Sequence, residues 1–505
     1  MLARADRLLA ARRWSEAADA YRLALRSRED HPDAWFNLGY VLNKAGQFAP
    51  AVAAYGRALA HGVQQPEVAH LNRAAILSDH LRRDADALVE LQTALAVAPG
   101  FGPALLNLGN LHEERAERAQ AAGCYRRLIE ADVDDGVRCL ALARLLQLDP
   151  PKELDDPLLR RAQGATQQPL VRSDLATLLF AIAHALDRLG EIDAAFATFA
   201  RAKRCAHGDG SRYDAAAAYR RTRALVESPC PVRPAPATHR ASPQPVFICG
   251  MFRSGSTLLE QVLAGHPDIA AGGELDLLPR LVAGPLAPYP ASLRTLDDRA
   301  AARLAAGYLE AVRARLPDDR QARRYVTDKR PDNYLLLGLA KRMFPGAKIL
   351  HTVRHPLDTG LSIFMQHLNP RAFDYAGTLA DIGHHYGEYR RLMDHWKHLY
   401  PGDVFDFDYD AFVLEPEAAL RPLLDFLDLP WHADCLAFHT LGNTVKTASY
   451  WQVREPLHAR ASGRWQRYRR HLGPLQEALE AQGVALPRAD TAAPRPQVAE
   501  PGPAR

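Results

Sequence analysis

The chain holds 505 residues, enough for two to four folding units at about 150 residues each. Its composition is 48% hydrophobic, 24% charged and 8% aromatic, which excludes a collagen-like chain, a wholly disordered one and a disulfide miniprotein. Sixty-three basic against 59 acidic residues leave a formal charge of +4, too weak to argue for a nucleic-acid partner.

Arg4, Asp6 and Arg7 bring charge too early for the apolar core of a secretory signal. No apolar run reaches the ~18 residues that a membrane span requires. A cytoplasmic chain without a membrane span is the expectation. The cysteines Cys124, Cys139, Cys205, Cys230, Cys249 and Cys435 are scattered, with no Cys-x-x-Cys pair. They read as free thiols in a reducing compartment. His-Glu-x-x-His is absent as well, and no metal site is expected.

The first 228 residues repeat themselves. Ala17, Tyr21 and Ala24 recur 34 positions later as Ala51, Tyr55 and Ala58. After a slip of two residues they return as Ala87, Leu91 and Ala94, then 34 further on as Ala121, Tyr125 and Leu128. The other half of the unit repeats too: Trp35-x-x-Leu38-Gly39 is echoed by Leu105-x-x-Leu108-Gly109. A weaker copy carries Ala195, Phe199 and Ala202. Small residues at such positions let two helices touch, a large Tyr or Leu fills the adjoining layer, and Pro32 and Pro99 punctuate helices. The pattern resembles the tetratricopeptide repeat. Single helical hairpins cannot bury their faces alone, so residues 1–228 are expected to stack as an all-α solenoid, whose concave face suits a polypeptide or partner protein.

Residues 229–245 are proline-rich and read as a linker; residues 487–505 are similar in character and read as a disordered tail. Between them, residues 246–486 are expected to form an α/β domain of three layers around a parallel sheet. Val246–Gly250 is a short apolar run of the kind that makes a buried parallel strand. Gly250-Met-Phe-Arg253-Ser254-Gly255-Ser256-Thr257 follows, and then a helical run. Strand, glycine turn and helix bring bare backbone N–H groups and a helix dipole to bear on an anion. The Gly-x4-Gly spacing is that of a nucleotide P-loop, but Ser256 stands where the lysine belongs, and Arg253 supplies a cation instead. A second strand-to-helix unit ends its strand at Arg354, with Ser362 eight residues on, near the first turns of a helix; guanidinium and hydroxyl so placed suit a second phosphate.

With these residues in view, the stretch from 246 to about 475 resembles sulfotransferases that use 3′-phosphoadenosine 5′-phosphosulfate (PAPS). Arg253, Ser254, Gly255, Ser256 and Thr257 match that family's 5′-phosphosulfate loop, and Arg354 with Ser362 its 3′-phosphate motif. Asp408-Tyr409-Asp410, Pro416 and Leu427-x-Leu-Pro-Trp431 resemble the family's Tyr-Glu-x-Leu-x-x-x-Pro segment. Ser462-Gly463-Arg464-Trp465 is similar to its late cofactor-closing loop. Within the family the likeness is to protein-tyrosine sulfotransferases and to bacterial relatives bearing tetratricopeptide repeats. The resemblance implies that Glu274, 21 residues after Arg253, is the catalytic base. It implies a catalytic lysine at Lys329, although Thr327-Asp328-Lys329 departs in order from that branch's Asn-Lys-Asp. It places Tyr409, Ser449, Gly463 and Arg464 at the cofactor, with Gln452 and Val453 beside Ser449 and Arg454 near a lysine of the family.

The expected activity is sulfuryl transfer from PAPS, without a metal, to an acceptor hydroxyl, first of all tyrosine in a polypeptide. A glycan, a lipid or a small phenol would use the same core. Two other classes stay open: a P-loop kinase or NTPase, which lacks its lysine here, and a non-catalytic repeat scaffold. His351, His355, His367, His384 and His385 read as structural or surface groups, with His351 the alternative base. Trp465 and Tyr468 read as packing beneath the closing loop. Oligomeric state is not fixed by the sequence.

Overall fold

The computed structural model describes residues 1–81, 83–208, 212–228, 243–316, 320–441 and 457–486. The expected linker from 229 onward falls almost wholly outside these residues, and the tail 487–505, Ser449, Gln452, Val453, Arg454 and Cys230 fall outside them entirely. Two compact units are formed, Met1–Cys205 and Ala206–Arg505.

In the first unit, helical hairpins follow one another: Pro32–Lys44 with Phe48–Ala60, Pro66–Asp79 with Asp84–Val97, Gly102–Glu114 with Arg118–Glu130. Proline at the first helical positions of three of these six helices fits its missing N–H and fixed φ. The repeated positions of the second helix are all buried: Ala17, Tyr21 and Ala24, their counterparts at 51–58, 87–94 and 121–128, and Ala195, Phe199 and Ala202. The repeated glycine explains itself in contact. A Cβ on Gly39 would stand 2.9 Å from the Tyr55 ring, and one on Gly109 would stand 2.7 Å from the ring of Tyr125. Each glycine therefore lets the tyrosine of the next helix lie flat against its backbone.

At Gly109 the partner cannot yield, because the Tyr125 hydroxyl donates to Asn110 Oδ1 at 2.8 Å or to Glu113 Oε1 at 2.6 Å. Gly109→Ala gains about 1 kcal/mol of helix propensity but overpacks a pinned ring at about 1–3 kcal/mol. The expected result is a lower midpoint for thermal unfolding of the helical unit, followed by circular dichroism. A raised midpoint would show that the ring gives way.

The second unit is built on five parallel strands, β1 (Gln244–Gly250), β2 (Ile269–Ala271), β3 (Tyr325–Lys329), β4 (Lys348–Val353) and β5 (Val404–Asp408), in the order β2-β3-β1-β4-β5. The central strand β1 is buried on both faces, as its unbroken apolar run requires. Val246 and Ile248 enter one core with Leu259, Leu350, Phe407 and Leu423. Phe247 meets Tyr308 and Phe344 from the opposite face. Helices thus cover the sheet on both sides, giving the three layers expected. Because the chain leaves β1 for β2 and β3 on one side and for β4 and β5 on the other, a crevice opens at the carboxyl ends of β1, β3 and β4. Register brings Ile248 level with Lys329 and Gly250 level with Thr352, so the motif-bearing ends of these strands are neighbours.

The division between units falls at Cys205/Ala206, upstream of the expected 228/229. The reason is packing. The helix Ala215–Val226 lies against the long helix Leu379–Leu399, Tyr213 hydrogen-bonds His384 at 3.0 Å, and Arg391 sits 5.5 Å over the ring of Tyr219. Helical content alone made this segment read as part of the solenoid; its aromatic contacts belong to the α/β unit. No helix among the described residues is long and apolar enough to cross a membrane.

Candidate active site

The turn after β1 is shaped by backbone geometry that few residues tolerate. Gly250 and Gly255 have φ of 157° and 106°, and Arg253 itself adopts a left-handed φ of 72°. A side chain on Gly250 would meet Thr352 Oγ1 at 2.4 Å, and one on Gly255 would meet the Tyr409 ring at 2.6 Å. Gly255 caps the helix Ser256–Ala264, so Ser256 and Thr257, both buried, form its first turn, where backbone N–H groups and the dipole favour an anion. Ser254 Oγ shares a hydrogen with Thr352 Oγ1 across 2.7 Å, tying the turn to β4.

The two predicted arginines meet here. Arg253 Nε donates to Ser362 Oγ at 3.1 Å, and Arg354 Nη1 donates to the Arg253 carbonyl at 3.2 Å. Arg354 also donates to the Ala461 carbonyl and lies 5.0 Å over the Tyr409 ring. Its Nε is buried without a hydrogen-bond partner among the described residues. Burial, followed by repulsion from Arg354 and Arg464, brings the Arg253 guanidinium down to about 10, even though Tyr409 opposes the shift. Cations crowded in this way leave room for an anion. Ser362 is in the last turn of the helix Pro356–Phe364, because that helix stops at Phe364.

Gly463, with φ of 70°, begins the late loop. Its N–H and that of Trp465 donate to Asp358 at 2.6 and 2.7 Å. Trp465 stacks on His355 with ring centroids 5.0 Å apart, so it packs beneath the loop as expected. Asp358 had no signal in the sequence beyond that of an ordinary acidic residue in a first helical turn. Thr352 was equally silent, since a threonine in a strand is common.

At the carboxyl end of β3, Lys329 Nζ donates to Glu274 Oε1 at 2.7 Å. The lysine side chain is 1% exposed and the glutamate 41%, so the pair runs from the interior to the surface. Lys329 is thus a buried cation. Beside it, Asp328 is buried and accepts from Tyr308 at 2.7 Å and from Asn333 at 3.1 Å. Burial raises it to about 6 against the pull of these bonds. The folded chain therefore holds this proton up to about pH 6, whereas an unfolded aspartate releases it near ~3.9. Stability should fall across that window as pH rises, and Asp328→Asn should flatten the slope. Urea unfolding measured at steps between those limits tests this; an unchanged slope would refute it.

Three of these histidines are held by internal contacts. His351 is fully buried, bonded through Nδ1 to Asp406 at 2.8 Å and through Nε2 to the Tyr389 hydroxyl, which leaves no nitrogen for an acceptor. His355 caps its helix through Leu357 N–H, and His385 stacks on Tyr375. Among the described residues no group of three His, Cys, Asp or Glu side chains could hold a metal ion.

Known proteins resemble this chain in each of its two parts. Residues 245–433 match the model of the sulfotransferase family, and residues 32–60 match a tetratricopeptide repeat. An uncharacterized protein of Aquifex aeolicus is 34% identical over 253 residues, 47% of this chain and 32% of that protein. The protein-tyrosine sulfotransferase of Drosophila melanogaster is 26% identical over 250 residues, 44% of this chain and 46% of the other. The sulfotransferase domain from the Synechococcus PCC 7002 olefin synthase aligns over 50% of this chain and 100% of its own, at 22% identity and a TM-score of 0.35. The chain spans about a third of the first of these relatives and under half of the second. Its two parts are thus similar to the tetratricopeptide repeat and to the sulfotransferase family.

Proposed function

We propose that the chain transfers a sulfuryl group from PAPS to an acceptor hydroxyl, and that the acceptor is tyrosine in a polypeptide. The observation that carries the reading is the meeting of Arg253 with the buried Arg354, whose Nε has no partner among the described residues, beyond the carboxyl ends of β1 and β4, with a carboxylate–ammonium pair at the end of β3. A nucleotide with phosphates at both the 3′ and 5′ positions suits two such cations. The loop without a P-loop lysine suits a donor lacking a triphosphate.

When bound, the donor supplies a sulfuryl group on a phosphate oxygen, open to in-line displacement. Arg253, Ser254, Gly255, Ser256 and Thr257 would hold the 5′ side, and Arg354 and Ser362 the 3′ side. Tyr409, Gly463 and Arg464, with Ser449, would complete the binding. A phenol with pKa near ~10 is mostly protonated at neutral pH, so a base is useful. Glu274 is assigned that task. Lys329 is free to turn from Glu274 to incoming anionic oxygens, after which Glu274 accepts the phenolic proton. Arg253, Lys329 and the loop amides then stabilise the charge that develops. The repeat unit, by the usual role of such solenoids, presents or selects the polypeptide.

The test is incubation of radiolabelled PAPS with peptide, glycan and phenol panels, followed by identification of the labelled product. Labelled tyrosine in a peptide is expected. Label confined to a sugar or to a small phenol would overturn the acceptor assignment, and stabilisation by ATP–magnesium but not by adenosine 3′,5′-bisphosphate would overturn the donor.

A further inference from the structure

We propose that Glu260 is a positioning residue for the Glu274–Lys329 pair, an inference that rests on the reading above. Glu260 projects from the helix that follows the anion-binding turn, only three residues beyond Thr257, yet its carboxylate is buried. Its Oε1 accepts from Gly273 N–H at 2.9 Å and from Thr327 Oγ1 at 2.7 Å. Thr327 Oγ1 in turn accepts from Gly272 N–H at 3.2 Å. The carbonyl of Gly273 accepts from Lys329 N–H at 2.9 Å. One carboxylate therefore stitches three pieces together: the helix of the anion turn, the two residues before Glu274, and the strand that carries Lys329.

The turn it holds has little freedom of its own. A Cβ on Gly272 would stand 2.2 Å from the Thr327 carbonyl, and Gly273 has a left-handed φ of 72°. Glycine permits this approach but does not enforce it, since an unrestrained glycine samples many conformations. The enforcing contacts are those to Glu260 and Thr327. Burying a carboxylate is expensive unless it is paired and bonded. Burial raises its pKa, and the attraction of Lys329, the bonds from Thr327 and Gly273, and the repulsion of Glu274 act on it as well. Asp328 is the further charge that feels it. Lys329 thus lies in the field of two carboxylates. Glu274 reaches the surface and can release the ammonium; Glu260 is internal and stays, so the lysine's charge remains offset when Glu274 is freed.

Glu260→Ala should lower kcat by about 10²-fold, the scale of a misplacement near 1 Å, with the calorimetric Kd for adenosine 3′,5′-bisphosphate unchanged. Glu260→Gln keeps a carbonyl oxygen for both hydrogens and should restore turnover to within about tenfold of the parent. A kcat for Glu260→Ala equal to the parent's would overturn the proposal, as would a nucleotide affinity that falls in step with kcat. Should Glu260→Ala fail to fold, Thr327→Val removes the shared hydroxyl. Faster amide hydrogen exchange at Gly272 and Gly273, with the turn at 253–257 still protected, is then expected, and unchanged exchange would refute the stitch. Exchange needs no acceptor. If the parent labels none of the acceptor panels, the proposed function fails while the exchange result still decides the role of Glu260.

Discussion

Glu274→Gln is expected to lower turnover by about 10²–10⁴-fold, the usual contribution of a general base, while adenosine 3′,5′-bisphosphate binds as before. The two effects separate because the residue is placed away from the arginines. Glu274 contacts Lys329 at the end of β3, whereas Arg253 and Arg354 meet beyond β1 and β4. Glutamine preserves size and can still accept from Lys329, so loss of activity cannot be laid to loss of packing. What it lacks is a basic oxygen. At 41% exposure the Glu274 side chain is within reach of an acceptor arriving from solvent, which a base must be. Rapid-quench measurement of a single turnover isolates the chemical step from product release. A rate within a factor of two of the parent's would remove Glu274 from the role of base.

Much of this architecture was legible because each motif answers a separate physical demand. The offset of 34 residues showed in the pairs Tyr21/Tyr55 and Leu91/Tyr125 because each must fill a layer opposite a small residue, and Gly39 and Gly109 lie against two of the rings. The five residues Val246–Gly250 could be read as an inner strand because burial on both faces admits only apolar side chains. Arg253 and Arg354, 101 positions apart, are joined by a strand register that no local pattern encodes. Their meeting was expected through family resemblance, not through spacing. Local reading failed where the side chain works through tertiary contacts. Ser362 was placed nearer the start of its helix than it is, since the helix stops already at Phe364. Asp358, Thr352 and Glu260 gave no warning, because what matters is which distant backbone amide or hydroxyl each one meets. The unit boundary escaped for a similar reason: an amphipathic helix at 215–226 looks the same whichever core it covers.

Arg354→Ala should weaken adenosine 3′,5′-bisphosphate binding by about 1.5–3 kcal/mol, the worth of hydrogen bonds to a charged group, or about tenfold to about 150-fold in Kd. Two of its nitrogens are already spent on the carbonyls of Arg253 and Ala461, and the guanidinium plane rests on Tyr409. The fork is thus held rigid before any ligand arrives, with the buried Nε left over. Preorganisation of this kind means that little side-chain entropy is lost on binding, so the mutation should register nearly in full. Arg354→Lys separates charge from geometry. A lysine keeps the cation but cannot donate in a plane to two carbonyls while stacked on a ring, and it should recover only part of the loss. Calorimetry at two salt concentrations reads the charge directly, because screening weakens the parent more than the alanine variant. Equal affinity of parent and Arg354→Ala, with equal salt dependence, would exclude this arginine from the nucleotide site.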